Sequence, residues 1–204
     1  MPRVSDAKEK LMNAALDLIW ESSYGATSVD DICGKADVKK GSFYHFFKSK
    51  SELQIAALEA DWMKKRQRWN DLFSPSLPPL QRFEGYFDYV YERQAEICRE
   101  RGSVLGCPLF CIGSEVCTQD KAIGDKVHDL LDRFVKYFES AIRDAHAQGL
   151  IVAPDAASKA KVLFAYCQGT MTQARIENNL DLLRDMKAGA FGLLGVSPAE
   201  PVAA

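Results

Sequence analysis

Long apolar runs are missing from this sequence, and none reaches the roughly 18 residues that a membrane-spanning helix needs. Residues 1–6 contain no apolar signal segment, so we expect no secretion, a cytoplasmic location and no membrane partner. The six cysteines form no CxxC pair and no Cys/His quartet with zinc-finger spacing. No glycine-rich phosphate loop and no Ser-His-Asp order is visible either. We therefore predict no metal, no other cofactor and no catalytic residues, and hence no enzyme.

A large charge of one sign is also missing, because 26 basic side chains stand against 28 acidic ones, for a net charge of −2. That balance excludes a wholly basic nucleic-acid coat, although it permits a local basic surface. Hydrophobic residues make up 47% of the 204 residues. This share is too high for a disordered chain, and the length allows a core that needs no disulfide or metal.

The alternation of apolar and polar residues that is typical of strands is absent, and helical spacing runs through nearly the whole chain. In residues 7–19, apolar side chains recur at steps of three and four and leave the charged ones on the other face. Glycine, proline and turn residues interrupt the pattern often enough to predict about nine helices. The predicted fold class is therefore all-α.

Two of the predicted helices are very short. Residues 28–36 and 39–46 give about two turns each, joined by a tight connection at Asp37 and Val38. Because helix nucleation is costly, such helices must pack on the first helix and on the one that begins near Ser49. Three helices with a short turn between the last two form the helix-turn-helix plan of DNA-binding proteins.

This region also matches a known family in its residues. The matching segments are Thr27-Ser28-Val29-Asp30-Asp31-Ile32, Ala36-Asp37-Val38-Lys39-Lys40-Gly41-Ser42-Phe43-Tyr44-His45-Phe46-Phe47 and Lys48-Ser49-Lys50-Ser51-Glu52-Leu53. With this spacing, residues 7–58 resemble the DNA-binding domain of the TetR family of bacterial transcriptional regulators, and the rest fits by helical plan and length. The resemblance implies a DNA-binding helix-turn-helix domain at 1–50, a helical effector-binding and dimerisation domain at 51–195, and a flexible tail at 196–204.

A recognition helix in the major groove needs hydrogen-bond donors and small residues on its outer face. Residues 39–46 supply them, whereas Phe43, Phe46 and Phe47 are expected to face the core. Between residues 35 and 50, five lysines accompany one acid, which favours a local basic surface. The predicted DNA-contacting residues are Thr27, Ser28, Lys39, Lys40, Gly41, Ser42, Tyr44, His45, Lys48 and Lys50.

Three residues depart from the family's pattern, and one of them, Cys33 in place of a usual alanine, is expected to pack as a small hydrophobe. Asp37 stands where glycine is usual, and if the turn requires a positive φ, aspartate tolerates it better than most residues. Lys39 stands where serine is frequent, which changes a contact to base or phosphate. A relative's operator sequence therefore does not transfer to this chain.

The body of the chain is rich in aromatic residues at helical spacing, a pattern that is typical of an ordinary core. Because TetR proteins usually have an effector cavity in this domain, the resemblance implies that some of these residues line a mostly apolar pocket. A long helix predicted at 49–73 would link this domain to the DNA-binding domain. The effector-binding candidates are Trp62, Trp69, Phe83, Phe87, Cys107, Phe110, Phe134, Phe164 and Gln168.

Cys107 precedes Pro108, and since proline favours the first position of a helix, the cysteine is expected at the N-cap. There the helix dipole favours a thiolate, and Arg99 and Arg101 lie close in sequence. This start resembles a TetR subgroup in which some members respond to reactive electrophiles. Three alternatives stay open: an electrophile or redox sensor, an inert buried thiol, and a helical thiol enzyme of a different class. For the chain as a whole, a further alternative is a ligand-binding scaffold whose DNA-binding motif has decayed.

The leading hypothesis is a repressor that an unknown small-molecule effector releases from a palindromic double-stranded DNA operator at the bacterial nucleoid. Helices near 155–178 and 180–194 are expected to form a homodimer, partly by family analogy. Two-fold symmetry would place the recognition helices about 34–36 Å apart, or a multiple of this. The predicted interface seams are Ala160, Leu163, Phe164, Cys167, Thr170, Met171 and Ala174, and then Leu182, Leu183, Met186, Gly189, Ala190, Leu193 and Leu194.

Overall fold

The computed structural model describes residues 4–196, and the regular elements in that range are all α-helices. The all-α prediction is confirmed, and nine helices in the described range match the predicted number. Within this range, no helix combines the length and the apolarity that crossing a membrane requires. The predicted tail, apart from Val196, lies outside the described residues. The helices are α1 (Val4–Glu21), α2 (Val29–Ala36), α3 (Lys40–Phe46), α4 (Lys50–Leu72), α5 (Pro79–Arg101), α6 (Pro108–Val116), α7 (Lys121–Ala147), α8 (Ala156–Glu177) and α9 (Leu182–Leu194).

Local capping explains where the short helices begin and end. α2 starts at a capping box, in which the Ser28 hydroxyl accepts the Asp31 N–H at 3.1 Å and the Asp31 carboxylate accepts the Ser28 N–H at 2.8 Å. It ends at Asp37, whose φ of 52° and ψ of 48° are left-handed, so that aspartate serves where glycine is usual. α6 starts with Pro108, and Cys107 is its N-cap as predicted.

Two compact units make up the described chain, and each combines two stretches: 4–67 with 107–132, and 68–106 with 133–196. In the first unit α2, α3 and α6 all pack against α1. The functional division predicted at residue 50 stays a prediction. Fully buried core residues of the first unit include Leu11, Ala15, Ile32, Phe43 and Leu53.

Aromatic packing forms the core of the second unit. Rings of Phe73, Phe83, Tyr86 and Phe138 contact one another, with centroids between 5.0 and 6.1 Å apart. Such stacked, tilted and edge-on contacts stabilise a core beyond the burial of their area. In the same unit α9 packs on both α5 and α8. The predicted aromatic pattern of α5 is thus used mainly for helix packing.

A buried arginine joins the loop before α5 to α7. Arg82 is 2% exposed. Its guanidinium donates to the Asp144 carboxylate at 2.5 Å, and to the carbonyls of Leu77 and Pro75 at 3.0 and 3.2 Å. A buried cation needs a matching charge and partners for its N–H groups, and this arrangement supplies both.

Two polar side chains hold the loop that precedes α6. Gln94, which is 5% exposed, donates to the Gly106 carbonyl at 3.1 Å and accepts the N–H groups of Leu105 and Gly106 at 3.1 and 2.9 Å. Arg175 of α8 donates to the Leu105 carbonyl at 2.7 Å. Gly106 has a φ of 65°, and a Cβ there would lie 3.1 Å from a backbone carbonyl oxygen of α8. Glycine is therefore required at this turn.

Candidate DNA-binding surface and effector region

Helix α3 has one side in the core and one at the surface. Phe43 is fully buried and Phe47 is 2% exposed, with ring centroids 6.0 Å apart. Tyr44 is 56% exposed, and its ring stands edge-on to Phe43 at 5.1 Å. Ser42 is half-buried. We call the exposed side the recognition face, and it comprises Lys39, Lys40, Gly41, Tyr44 and His45.

One of the positive charges on the recognition face is paired with an acidic residue of α2. The Lys40 ammonium lies 2.8 Å from Asp30 Oδ1 and 3.0 Å from Oδ2, and this hydrogen bond raises the pKa of Lys40. Gly41 is not packed against another part of the protein, since beyond its chain neighbours and its own helix backbone no described atom lies within 4 Å of the place where its Cβ would be. The fold itself therefore does not require glycine at position 41.

Ser28 and Lys48 flank the recognition face in sequence, and both are exposed. The Ser28 hydroxyl already donates to Asp31 at 2.6 Å, and together with the Ser28 N–H it lowers the pKa of Asp31. The Lys48 backbone N–H donates to Glu52 at 2.8 Å, while its side chain lies at the surface. Lys48 is thus placed for a phosphate contact, whereas the Ser28 hydroxyl is engaged in its cap.

Thr27 and Lys50, both predicted to contact DNA, are engaged inside the protein. Thr27 is 3% exposed, and its hydroxyl donates to the Ser23 carbonyl at 2.7 Å. The Lys50 ammonium donates to the carbonyls of Tyr24 and Thr27 at 2.7 and 2.8 Å and lies 4.0 Å from the Tyr24 ring centroid. Burial lowers the pKa of Lys50, although the charge of Glu115 acts in the opposite direction. These positions do not fit the predicted phosphate contacts, because the same polar atoms already bind the backbone.

Hydrogen bonds from two side chains hold the backbone of the loop between α1 and α2. Glu115 of α6 accepts the N–H groups of Tyr24 and Gly25 at 2.8 and 2.7 Å, while Lys50 of α4 binds carbonyls of the same loop. We call Lys50 and Glu115 the loop clamp. Because the loop leads directly into the Ser28 cap, the clamp helps to fix where α2 begins. Sequence reasoning missed Glu115, which lies 90 residues from Gly25.

The effector-binding candidates belong to both units. Trp62, Cys107 and Phe110 lie in the first unit, and the others lie in the second. Within the second unit, Phe134 stands edge-on to Trp69 at 4.6 Å and stacks on Phe164 at 6.3 Å. The candidates of the second unit are Trp69, Phe83, Phe87, Phe134, Phe164 and Gln168.

The Cys107 thiol does not have the ionisation that its position at a helix start predicts. Burial of the sulfur raises the pKa of Cys107 to about 11, despite the N–H groups of Phe110 and Leu109, which favour the thiolate. Cys111, one turn further along α6, adds to the rise. Desolvation therefore outweighs the helix N-terminus, and near neutral pH the thiol is almost wholly protonated.

At neutral pH we expect Cys107 to react with iodoacetamide about a hundredfold more slowly than an ordinary thiol, since the thiolate fraction falls tenfold per unit of pKa. The rate should climb as the pH approaches the pKa. Timed alkylation followed by peptide mass spectrometry measures Cys107 separately from the other cysteines, and the urea-unfolded chain serves as the control. Equal rates in the folded and unfolded chains at neutral pH would show that the thiol is not suppressed.

Helix α8 exposes a face without charged residues. The predicted interface seam does not lie there, because Leu163, Cys167 and Met171 are at most 5% exposed and already form part of the core. On the other side, Val162 and Ile176 are 54% and 78% exposed. We call this side the α8 face, and it comprises Val162, Ala165, Tyr166, Gly169, Thr172, Gln173 and Ile176.

The sequence of the helix-turn-helix region matches a known protein family. A family model described as "Bacterial regulatory proteins, tetR family" matches residues 11–57. These residues contain α2, α3, most of α1 and the first part of α4. The match therefore includes the whole recognition face.

Full-length relatives extend the likeness beyond this region. Transcriptional regulator AcuR of Cereibacter sphaeroides is 29% identical over 187 residues, which are 89% of this chain and 82% of AcuR. HTH-type transcriptional repressor NemR of Escherichia coli K12 is 25% identical over 192 residues, which are 90% of this chain and 91% of NemR. The crystal structure of regulatory protein TetR from Rhodobacter sphaeroides has a TM-score of 0.79 at 25% identity, and covers 90% of this chain and 96% of that chain.

Proposed function

Since this chain belongs to the TetR family of bacterial transcriptional regulators, we propose that it is a homodimeric repressor that leaves a palindromic operator when a small-molecule effector binds. One observation carries the proposal: α3 buries Phe43 and presents Lys39, Lys40, Tyr44 and His45 to solvent. NemR, which matches the chain nearly end to end, is named a repressor, which supports repression over activation. Operator DNA would place the protein at the nucleoid, in the bacterial cytoplasm.

Three residues of the recognition face, together with Lys48 beside it, have specific tasks on DNA in this proposal. Lys39 and Lys40 donate hydrogen bonds to base edges in the major groove. For this, Lys40 either gives up its ion pair with Asp30 or divides its hydrogen bonds between Asp30 and a base. Lys48 holds a phosphate, which fixes the register of the helix. Gly41 lets the helix backbone approach the duplex. We leave Thr27 and Lys50 out of the surface, because they hold the α1–α2 loop.

Replacing Gly41 with alanine should leave the fold intact, since a new Cβ would meet no atom within 4 Å. It should weaken operator binding about tenfold or more, because the methyl group separates the helix from the groove. Gly34→Ala in α2 is the matched control, since its Cβ also meets open space. Both variants should gain up to about 1 kcal/mol of stability from helix propensity.

Fluorescence anisotropy with operator DNA selected from random fragments measures the affinities, and thermal unfolding checks the fold. Unchanged binding by a folded Gly41→Ala variant would remove α3 from the DNA interface. Failure of selection to enrich any sequence at low salt would favour the scaffold with a decayed DNA motif.

The homodimer that we propose uses the α8 face together with α9. An uncharged face with small residues lets two copies of a helix approach closely around a two-fold axis. Val162 and Ile176 give it apolar contacts near both ends. Beside it lies a groove of about 390 Å³, in which Val152, Val162 and Leu193 are apolar lining residues and Asp155, Ser158 and Lys159 are polar ones.

Ile176→Glu should raise the dimer dissociation constant about a hundredfold or more, because two-fold symmetry buries the new charge twice. The chain itself should still fold, since Ile176 is 78% exposed. Met63→Glu is the control, as Met63 is also an exposed apolar side chain, at 56%, but belongs to α4. Sedimentation equilibrium measures the dimer dissociation constants of both variants. A dimer of unchanged strength in the Ile176 variant would exclude the α8 face.

Helix α6 is suited to transmit the effector signal. An effector releases DNA only if it binds a DNA-incompetent conformation more tightly. The loop that precedes α6 is held by Gln94 and Arg175, and near its other end Glu115 holds the α1–α2 loop. A helix of nine residues spans about 13 Å, so a shift at its start reaches the loop clamp as a rigid movement.

A thiol-based signal is the second candidate, because Cys107 caps the same helix that carries Glu115. Its raised pKa weighs against this candidate, and the alkylation experiment decides it. The helical thiol enzyme is not retained, because the relatives that match the full chain are transcriptional regulators and members of this family are not enzymes.

A further inference from the structure

Two buried polar atoms in the second unit have no hydrogen-bond partner. They are Nε1 of Trp69 and Oε1 of Gln168, and these residues are 8% and 3% exposed. Folded chains pair nearly all buried donors and acceptors, because an unpaired one loses its hydration without compensation. Among the described residues, one further side-chain atom shares this condition, Oε1 of Gln54, and it belongs to the first unit.

The residues that carry the unpaired atoms are both neighbours of one group of rings, Trp69 through a ring contact and Gln168 through its position on α8. Phe134 lies between Trp69, at 4.6 Å, and Phe164, at 6.3 Å between ring centroids. Gln168 follows Phe164 by one helical turn and therefore lies on the same side of α8. Phe134 is half-buried, so the group reaches the surface at this ring. An unpaired donor and an unpaired acceptor thus belong to residues that adjoin this group of rings, Trp69 next to Phe134 and Gln168 one turn from Phe164.

The charges of this unit indicate what such an environment accepts. Arg82 is the one buried side chain of the described residues that carries a charge, and Asp144 already matches it. Arg68 lies 5.1 Å from the Tyr89 ring centroid, at the outer edge of the rings, and is exposed. An ionised ligand beside Trp69 and Gln168 would therefore lose its hydration without gaining a buried counterion.

We propose that Trp69 and Gln168 are the polar contacts for a neutral, mainly aromatic ligand that carries an oxygen acceptor at one end and a hydroxyl or amide donor at the other. The indole N–H donates to the acceptor, and Gln168 Oε1 accepts from the donor. The ligand is the effector only if the proposed function holds.

Isothermal titration of the full chain with 4-hydroxyacetophenone, at a mildly acidic pH where it is neutral, tests the proposal. Wild-type protein should bind this probe about tenfold more tightly than acetophenone, which lacks the donor, and more tightly than the anion 4-hydroxybenzoate. Gln168→Leu should abolish the preference for the hydroxyl, and Trp69→Phe should weaken both ketones alike. Gln81→Leu, at an exposed position on α5 of the same unit, should change neither value.

Absence of binding by both ketones, preference for the anion, or a hydroxyl preference that survives Gln168→Leu would each overturn the proposal. Thermal unfolding without ligand adds an independent check. Gln168→Leu removes an unpaired acceptor at nearly constant volume, so it should raise the Tm by about 2–6 °C. A lowered Tm would mean that the carbonyl is paired in the free chain, against the proposal.

Operator affinity is measured separately with and without 4-hydroxyacetophenone. Binding that depends on Trp69 and Gln168 but leaves operator affinity unchanged would uphold the ligand site and contradict the effector role. Operator binding without any ketone binding would uphold the regulator and contradict the ligand site.

Discussion

Replacing Arg82 with methionine should lower the free energy of unfolding by about 2–4 kcal/mol, the largest loss we expect from one substitution. Methionine fills much of the volume of the arginine side chain. It leaves the Asp144 carboxylate and the carbonyls of Leu77 and Pro75 without their hydrogen-bond donor. Asp144 is 38% exposed and keeps some water, which limits the loss. Urea unfolding followed by circular dichroism measures the change.

Arg143→Met is the matched control for Arg82. Arg143 pairs with Glu139 one turn earlier on α7, and its side chain is 64% exposed. Exposed pairs of this kind contribute little, so the control should unfold like the wild type within error. Combining Arg82→Met with Asp144→Leu should restore part of the stability, since no charge is then left unpaired. Equal stability of the Arg82 and Arg143 variants would contradict the structural account of Arg82.

Replacing Glu115 with alanine should weaken operator binding about ten- to a hundredfold, although Glu115 is not part of the DNA surface. The Tyr24 and Gly25 N–H groups lose their acceptors, so the α1–α2 loop must be ordered again when DNA binds. Because no phosphate contact is lost, the slope of log affinity against log salt should stay unchanged. Anisotropy titrations at several salt concentrations measure both quantities.

Glu92→Ala removes the same charge from an exposed position on α5 and should leave operator affinity unchanged. Glu115→Gln should fall between wild type and Glu115→Ala, since its amide has one acceptor oxygen instead of two. A changed salt slope in Glu115→Ala would mean that Glu115 acts through the electrostatics of the DNA surface, and unchanged affinity would remove the loop clamp from the mechanism.

Local signals made the recognition helix predictable from sequence. The spacing of its phenylalanines placed Phe43 in the core and Tyr44 outside, as the structure has them. Asp37 was expected to tolerate a positive φ, and its φ is 52°. In both cases the decisive neighbours lie within one or two turns, where sequence patterns carry most information.

Contacts between residues that lie far apart in the sequence could not be predicted from such local patterns. Lys50 begins the helix after the recognition helix, and its partners lie more than twenty residues earlier. The interface seam on α8 was misplaced because one apolar stripe can pack within a chain or between chains, and Leu163 shows that it packs within. Between α6 and α7, Asp120 caps α7 through the Ala122 and Ile123 N–H groups, without a glycine or proline that would mark the break in the sequence.

Dimethyl sulfate protection on the selected operator tests the central claim most directly, since the reagent methylates guanine N7 in the major groove and adenine N3 in the minor groove. If α3 docks through Lys39, Lys40, Gly41 and Tyr44, guanines should be protected in two major-groove segments on one side of the duplex, centred about 34–36 Å apart or a multiple of this. Protection of adenine N3 alone, or a footprint that Gly41→Ala leaves unchanged, would contradict it.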